Sequence, residues 1–441
     1  RDGTDSQKVI TAKALGRLAA GDDATRIAIA EEGGIAPLVA MVVGGTHLQQ
    51  KYALNVLSSL VSLNDENLHA ICTPLVVLVQ DGTDSQKGNA AKALGHLAAG
   101  DDATRIAISQ EGGIAPLVAL VGDGTFCPRV YALGALKALV SLNDESLQAI
   151  CAPLVALVRD GTHSQKGNAA KALGSLAAGD DATRIAIAEE GGIAPLVALV
   201  GDGTPDQQMS ALDALKALVS LNDESLQAIC APLVALVRDG THSQKGNAAK
   251  ALGSLAAGDD ATRIAIAEEG GIAPLVALVG DGTPDQQMSA LDALKALVSL
   301  NDESLQAICA PLVALVRDGT HSQKGNAAKA LGSLAAGDDA TRIAIGQEGG
   351  ITPLVALMRD GTDSQKVITA KALGRLAAGD DATRIAIAEE GGIAPLVAMV
   401  RDGTHLQQNY AAEALSRLAD GDDATRIAIA QEGWSPYRLS S

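Results

Sequence analysis

Two acidic strings recur along the chain and are the residues best suited to hold a cation: Asp-Gly-Thr-Asp at 2–5, 81–84 and 360–363, and Gly-Asp-Asp at 179–181 and its equivalents. A calcium loop needs a regular series of oxygen ligands ending in a bidentate glutamate. Neither string supplies that series, and both stand where a helix has to be capped, so turn-and-cap chemistry accounts for them. His163, His242 and His321 are equivalent residues spaced 79 apart, too far to share a metal, and Asp5, Asp84 and Asp363 fill the same slot. They read as solvated loop residues. None of the seven histidines is followed by Glu, and no HExxH, GxSxG or phosphate-loop pattern occurs. The sequence predicts no catalytic residue, no metal site and no cofactor; the chain reads as a protein that is not an enzyme.

What remains is the chemistry of a binding surface. Lys13, Lys92, Lys171, Lys250, Lys329 and Lys371 occupy one equivalent slot, and Asn55, Gly134, Asp213, Asp292 and Glu413 fill it in the units between them. Lys and Asp alternate along Lys171, Asp213, Lys250, Asp292 and Lys329, which predicts either a charge ladder between neighbouring helices or a solvated row worth little per pair. Three residues before the slot, Tyr52, Tyr131 and Tyr410, with Ile10 and Ile368, interrupt a run of Asn and Ser; four after it, Arg17, His96, Arg375 and Arg417 interrupt a run of Ser and Ala. Spacings of three and four place all three rows on one face of a helix.

The elements that carry these rows follow from an internal repeat. Residues 239–317 copy residues 160–238 letter for letter, and each 79-residue block is itself two related halves of 42 and 37 residues, both opening with Asp-Gly-Thr. The opening recurs at Asp2, Gly44, Asp81, Asp123, Asp160, Asp202, Asp239, Asp281, Asp318, Asp360 and Asp402, which gives eleven units. A fixed period of this length marks a stack in which each unit buries its apolar face against its neighbours.

Within a 42-residue unit, Thr162 precedes Gln165 by the capping-box spacing and starts a long helix that ends at Gly179. Asp180 and Asp181 start a short one, stopped by Gly191 and Gly192, and a third runs from Ile193 with Pro195 in its first turn. In the 37-residue unit the Glu-Glu-Gly-Gly-Ile segment is missing, so the two short helices are expected to merge into one bent at a proline. Three helices per 42 residues, with GGIAPLVALV followed by a long helix ending KALGSLAAGD, resemble armadillo repeats, and the shorter units resemble the related HEAT repeat.

That resemblance implies an all-α, right-handed α-solenoid of about eleven units, with the long helices lining a concave groove that takes an extended peptide or partner protein. It makes the three-row face the groove, and Tyr52, His96, Tyr131, Lys171, Lys250, Arg375, Tyr410 and Arg417 the expected contact residues. Tyr and Arg cluster toward the ends of the groove, which suggests grip at the ends on a segment with acidic residues. A second class of function is open at this point: a structural protein that self-assembles head to tail, or a fragment of a larger assembly component, because both ends cut through consensus units.

Composition agrees with this organisation. Hydrophobic residues make up 47% and aromatics 1%, so the core must be built from Ala, Leu, Ile and Val. A net charge of -18 repels phosphate backbones and excludes nucleic acid as a partner class. No uninterrupted apolar run is long enough for a membrane span. Cys72, Cys151, Cys230 and Cys309 are equivalent and too widely separated for disulfides, which fits a reducing, intracellular and cytoplasmic setting. One continuous repeat domain is expected over residues 1–433. Residues 434–441, with Trp434 and Tyr437, form a tail that abandons the pattern. The chain opens in mid-pattern, as a fragment or processed product would.

Overall fold

The computed structural model describes residues 3–434, so Tyr437 and most of the tail lie outside the described residues. The chain divides into two compact units, residues 1–225 and residues 226–441.

In the first unit the order is α1 (Asp5–Ala19), α2 (Asp23–Glu31), α3 (Ile35–Gly44), α4 (His47–Leu60), α5 (Asp65–Asp81), α6 (Asp84–Ala98) and α7 (Asp102–Gln110). It continues with α8 (Ile114–Asp123), α9 (Phe126–Leu139), α10 (Asp144–Asp160), α11 (His163–Ala177), α12 (Asp181–Glu189), α13 (Ile193–Asp202) and α14 (Pro205–Leu218). The boundary falls at α15 (Asp223–Asp239). The second unit holds α16 (His242–Ala256), α17 (Asp260–Glu268), α18 (Ile272–Asp281), α19 (Pro284–Leu297), α20 (Asp302–Asp318), α21 (His321–Leu334) and α22 (Asp339–Gln347). Then come α23 (Ile351–Asp360), α24 (Asp363–Leu376), α25 (Asp381–Glu389), α26 (Ile393–Asp402), α27 (His405–Ala419) and α28 (Asp423–Gln431). Among the described residues there is no strand, and no single helix is long and apolar enough to cross a membrane. The protein is a helical repeat array.

Each 42-residue repeat yields three helices and each 37-residue repeat two, as the spacing predicts. The termini are made by the residues that signalled them. The Thr162 hydroxyl accepts from the Gln165 amide at 3.4 Å while Gln165 Oε1 accepts from the Thr162 amide at 2.8 Å. A cap of this kind contributes about 0.5–2 kcal/mol. Asp180 Oδ1 accepts from the Thr183 amide at 2.7 Å to start α12. Gly191 ends α12 at φ +71°, and the Gly192 amide reaches back to the Ile187 carbonyl at 2.8 Å, a six-to-one closure that an L side chain at Gly191 would strain. In the shorter repeat the merged helix runs unbroken through its proline, as in α10 with Pro153.

Loops are pinned by arginines. Arg105 donates to the Ala98 carbonyl at 2.8 Å and pairs with Asp102, and Arg184 does the same with Ala177 at 2.9 Å and Asp181. The second unit repeats the device at Arg263, which donates to Ala256 at 2.8 Å and pairs with Asp260. Asparagines tie successive repeats together: Asn89 donates to the Val43 carbonyl at 2.8 Å, Asn168 to Gly122 at 2.9 Å and Asn326 to Gly280 at 3.0 Å.

The core is aliphatic and layered. Leu173, Leu252 and Leu331 are wholly buried. Cys72, Cys151, Cys230 and Cys309 are buried free thiols, each pushed up to about 12 by burial, and Cys127 is an exposed free thiol. α8 packs against both α9 and α11, and α18 against both α19 and α21.

The long helices are not evenly spaced. In the first unit α1 lies close on α4, α6 on α9 and α11 on α14, while α9 and α11 pack far more loosely on each other. The closest approaches are made by glycines. A Cβ on Gly95 would stand 3.1 Å from the Ala135 amide nitrogen, one on Gly174 3.1 Å from Ala214 N and Cα, and one on Gly253 3.1 Å from Ala293 N. Gly332 is tighter still, at 2.9 Å from Ala372 Cβ and 3.0 Å from its Cα. Gly134, exposed on α9, would meet nothing within 4 Å.

Gly332 and Gly134 therefore carry opposite expectations. Gly332→Ala gains the roughly 0.5–1 kcal/mol by which Ala exceeds Gly in a helix. It also forces α21 and α24 apart at an overpacking cost of about 1–3 kcal/mol, for a net loss of up to about 2.5 kcal/mol. Gly134→Ala keeps the gain alone and should raise stability by about 0.5–1 kcal/mol. Urea midpoints of the two variants should move in opposite directions; a Gly332→Ala chain as stable as the Gly134→Ala chain would show that the close contact does not limit packing.

Candidate partner-binding face

The repeated long helices present the three rows on one side, and five of the six lysines there fall into two states, while Lys329 is followed by Ile368 in the tyrosine slot. Where a tyrosine stands three residues before the slot, it is half-buried and a lysine from the preceding long helix lies over its ring. Lys13 Nζ is 5.9 Å from the Tyr52 centroid, Lys92 Nζ 5.4 Å from Tyr131 and Lys371 Nζ 4.8 Å from Tyr410. Lys371 also lies 3.3 Å from the Tyr410 hydroxyl. A cation over the face of an aromatic ring contributes about 0.5–1 kcal/mol at sites this open to water.

Where serine replaces the tyrosine, the lysine is bare. Lys171 of α11 faces Ser210 of α14, and Lys250 of α16 faces Ser289 of α19. In the first unit this opening joins the loose gap between α9 and α11 to form a cavity of about 850 Å³. Phe126, Arg129, Val130 and Leu133 of α9 form one wall, Gly167, Lys171 and Ser175 of α11 the middle, and Asp206, Met209 and Asp213 of α14 the other wall. Arg129 bridges the gap to the Asn168 side chain. A smaller cavity of about 480 Å³ in the second unit is lined by Lys250, Gly253, Ser254, Asp285, Met288, Ser289 and Asp292.

The charge ladder between helices is not formed. Among the described residues no ion pair joins Lys171 to Asp213 or Lys250 to Asp292; Asp292 reaches Lys295 on its own helix at 3.7 Å. Exposed pairs of long side chains gain too little to hold one geometry against water, so the row stays solvated.

The other expected contact residues are placed differently. Arg375 donates to the Gly332 carbonyl at 2.8 Å, and Arg417 donates to the Gly374 carbonyl at 3.0 Å and pairs with Glu413 at 2.7 Å. Both guanidiniums are half-buried and engaged within the second unit. His96 is exposed in the last turn of α6. The structure gathers Lys171 into the large cavity and Lys250 into the small one; it does not gather Tyr52, His96 or Tyr131 into either cavity. Sequence reasoning missed Phe126, Val130, Met209 and Met288, which are 67%, 52%, 61% and 61% exposed. Val130 and the two methionines stand four residues before the slot, so they share its face by the same helical spacing. Among the described residues no three His, Cys, Asp or Glu side chains gather to hold a metal ion.

No family model matches the chain, and no curated protein matches it. Among solved structures, an engineered protein from the Northeast Structural Genomics Consortium is similar at 30% identity, over 82% of this chain and 92% of that one, with a TM-score of 0.42. A second engineered protein from the same consortium is similar at 25% identity, over 62% of this chain and 97% of that one, with a TM-score of 0.31. At TM-scores this low, neither likeness bears on what this chain binds.

The lysine–tyrosine lid can be isolated by a double-mutant cycle. Lys371→Met and Tyr410→Leu should show a coupling of about 0.5–1 kcal/mol in thermal or urea unfolding. Lys171→Met, with Ser210 opposite, should stay within about 0.5 kcal/mol of the parent chain. Equal effects of the two lysine substitutions would show that the ring contact contributes nothing.

Proposed function

We propose that the chain is a non-catalytic scaffold that binds an extended peptide or a segment of a partner protein along its long-helix face. Each unit winds, in this reading, as a right-handed armadillo/HEAT-like superhelix with the long helices on its inner side. The observation that carries the proposal is the cavity of about 850 Å³ across α9, α11 and α14, open where serine stands in place of a tyrosine lid. Long rigid helices supply a preformed surface, so a partner segment bears most of the ordering cost itself. The buried free thiols support a reducing compartment, and we place the protein in the cytoplasm.

A second reading is head-to-tail association of copies. It is favoured by Leu18 on α1, which is 55% exposed while its equivalents Leu97 and Leu176 are 2% exposed. A further helix packed there would cover it. Sedimentation that stays monomeric up to high concentration would remove this second reading.

The first reading has its own test, which uses the protein's own lid. Peptides selected from a random dodecapeptide display library against the full chain should bind at least tenfold more weakly to a Ser210→Tyr, Ser289→Tyr variant. Its melting temperature should not fall, because tyrosine already occupies the equivalent slot in three helix pairs and each lysine–tyrosine contact adds stability. Full binding to the lidded variant would remove the long-helix face as the site.

A further inference from the structure

The walls of the two cavities are chemically sorted, and the sorting selects among partner segments. On α14 the groove face reads Asp206, Met209 and Asp213, so an exposed methionine stands between two carboxylates three and four residues away. On α19 the same face reads Asp285, Met288 and Asp292. The surface is therefore present once in each unit. At one end of it a lysine is opposite the carboxylate, Lys171 across from Asp213 and Lys250 across from Asp292. At the other end, Asp206 and Asp285 are exposed, and among the described residues no cation pairs with either of them.

In the first unit Met209 also shares its cavity with the α9 wall, whose Phe126 is the chain's one phenylalanine. Phe126, Val130 and Met209 are all more than half exposed around this cavity. Single exposed apolar side chains are ordinary on protein surfaces; three around one cavity of about 850 Å³ mark a contact surface. The chain as a whole carries a net charge of -18, so at long range it draws cationic segments and repels anionic ones.

We infer that this face takes an extended segment in which an apolar side chain alternates with a basic one, the apolar residue lying on Met209 or Met288 and the basic residue meeting Asp206 or Asp285. The inference rests on the proposal that the long-helix face binds peptides, and it specifies the class. It differs from the acidic segment suggested by Arg375 and Arg417, whose guanidiniums are held by backbone carbonyls of the preceding long helix. Apolar contact sets affinity here, while the carboxylates set the sign of charge admitted and make binding sensitive to salt.

Fluorescein-labelled dodecapeptides of alternating Lys-Leu, Glu-Leu and Lys-Ser, titrated with the full chain by fluorescence anisotropy, distinguish the outcomes. The Lys-Leu peptide should bind at least tenfold more tightly than either of the others, and more weakly as salt rises. Asp206→Asn with Asp285→Asn should weaken it at least fivefold, and Met209→Ser with Met288→Ser should do the same. Glu189→Gln with Glu268→Gln, the same charge change on the exposed ends of α12 and α17, should leave it unchanged. Tighter binding of the Glu-Leu peptide would overturn the class while leaving peptide binding intact. Equal loss with the Glu189 and Glu268 pair would show bulk attraction instead of this face. Failure of all three peptides, alongside library-selected peptides that the Ser210→Tyr, Ser289→Tyr variant rejects, would again overturn the class alone. Failure of both sets would overturn the parent proposal as well.

Discussion

The arrangement depends on the contact between a glycine of one long helix and an alanine of the next. Gly95 on Ala135, Gly174 on Ala214 and Gly253 on Ala293 bring the two backbones so close that a side chain at the glycine would force the neighbouring helix to shift. Because dispersion falls steeply with distance, such close approach is what lets helices rich in alanine gain enough from packing. The contact recurs from one 42-residue repeat to the next long helix, so in the first unit the long helices gather in pairs and the spaces fall between pairs. The cavity between α9 and α11 is a by-product of this pairing, and its exposed lining at Phe126, Val130 and Met209 lies outside the buried core.

The lids show how one slot can serve two ends. Tyrosine there fills the space beside a lysine stem and draws the ammonium over its ring, which consumes both side chains in the structure of the repeat. Serine leaves the lysine in water and the floor open. The difference is one residue on an otherwise constant scaffold, so the slot can change without changing the repeat that carries it.

Much of this was legible in the sequence, because the signals were local. Thr162 with Gln165, Asp180 with Thr183, and Gly191 before Gly192 each fix a helix end through bonds within a few residues, so the element boundaries followed from spacing alone. The row of lysines and the tyrosines three residues before the slot were also visible. What could not be read was which of them would touch. Whether Lys371 lies over Tyr410 or points into water depends on the distance between α24 and α27, and that distance is set by Gly374 against Ala414, a contact between helices. The uneven spacing of the long helices was hidden for the same reason, and with it the cavity and the exposure of Phe126 and Met209. Arg375 and Arg417 looked like free hot spots because the carbonyls they hold belong to the preceding long helix.

The letter-for-letter copy of residues 160–238 in residues 239–317 has a consequence for how the chain finds its native register. Every side chain that α14 offers to α11 is offered again by α19, so the contact energy of that junction cannot tell the neighbour from the residue one 79-residue period away. Only chain connectivity discriminates. Closing the longer loop costs on the order of 1 kcal/mol more, since loop entropy rises only with the logarithm of length. Selection of the correct neighbour in this part of the chain is therefore entropic, and a slipped pairing that forms early is undone only by breaking contacts as strong as native ones.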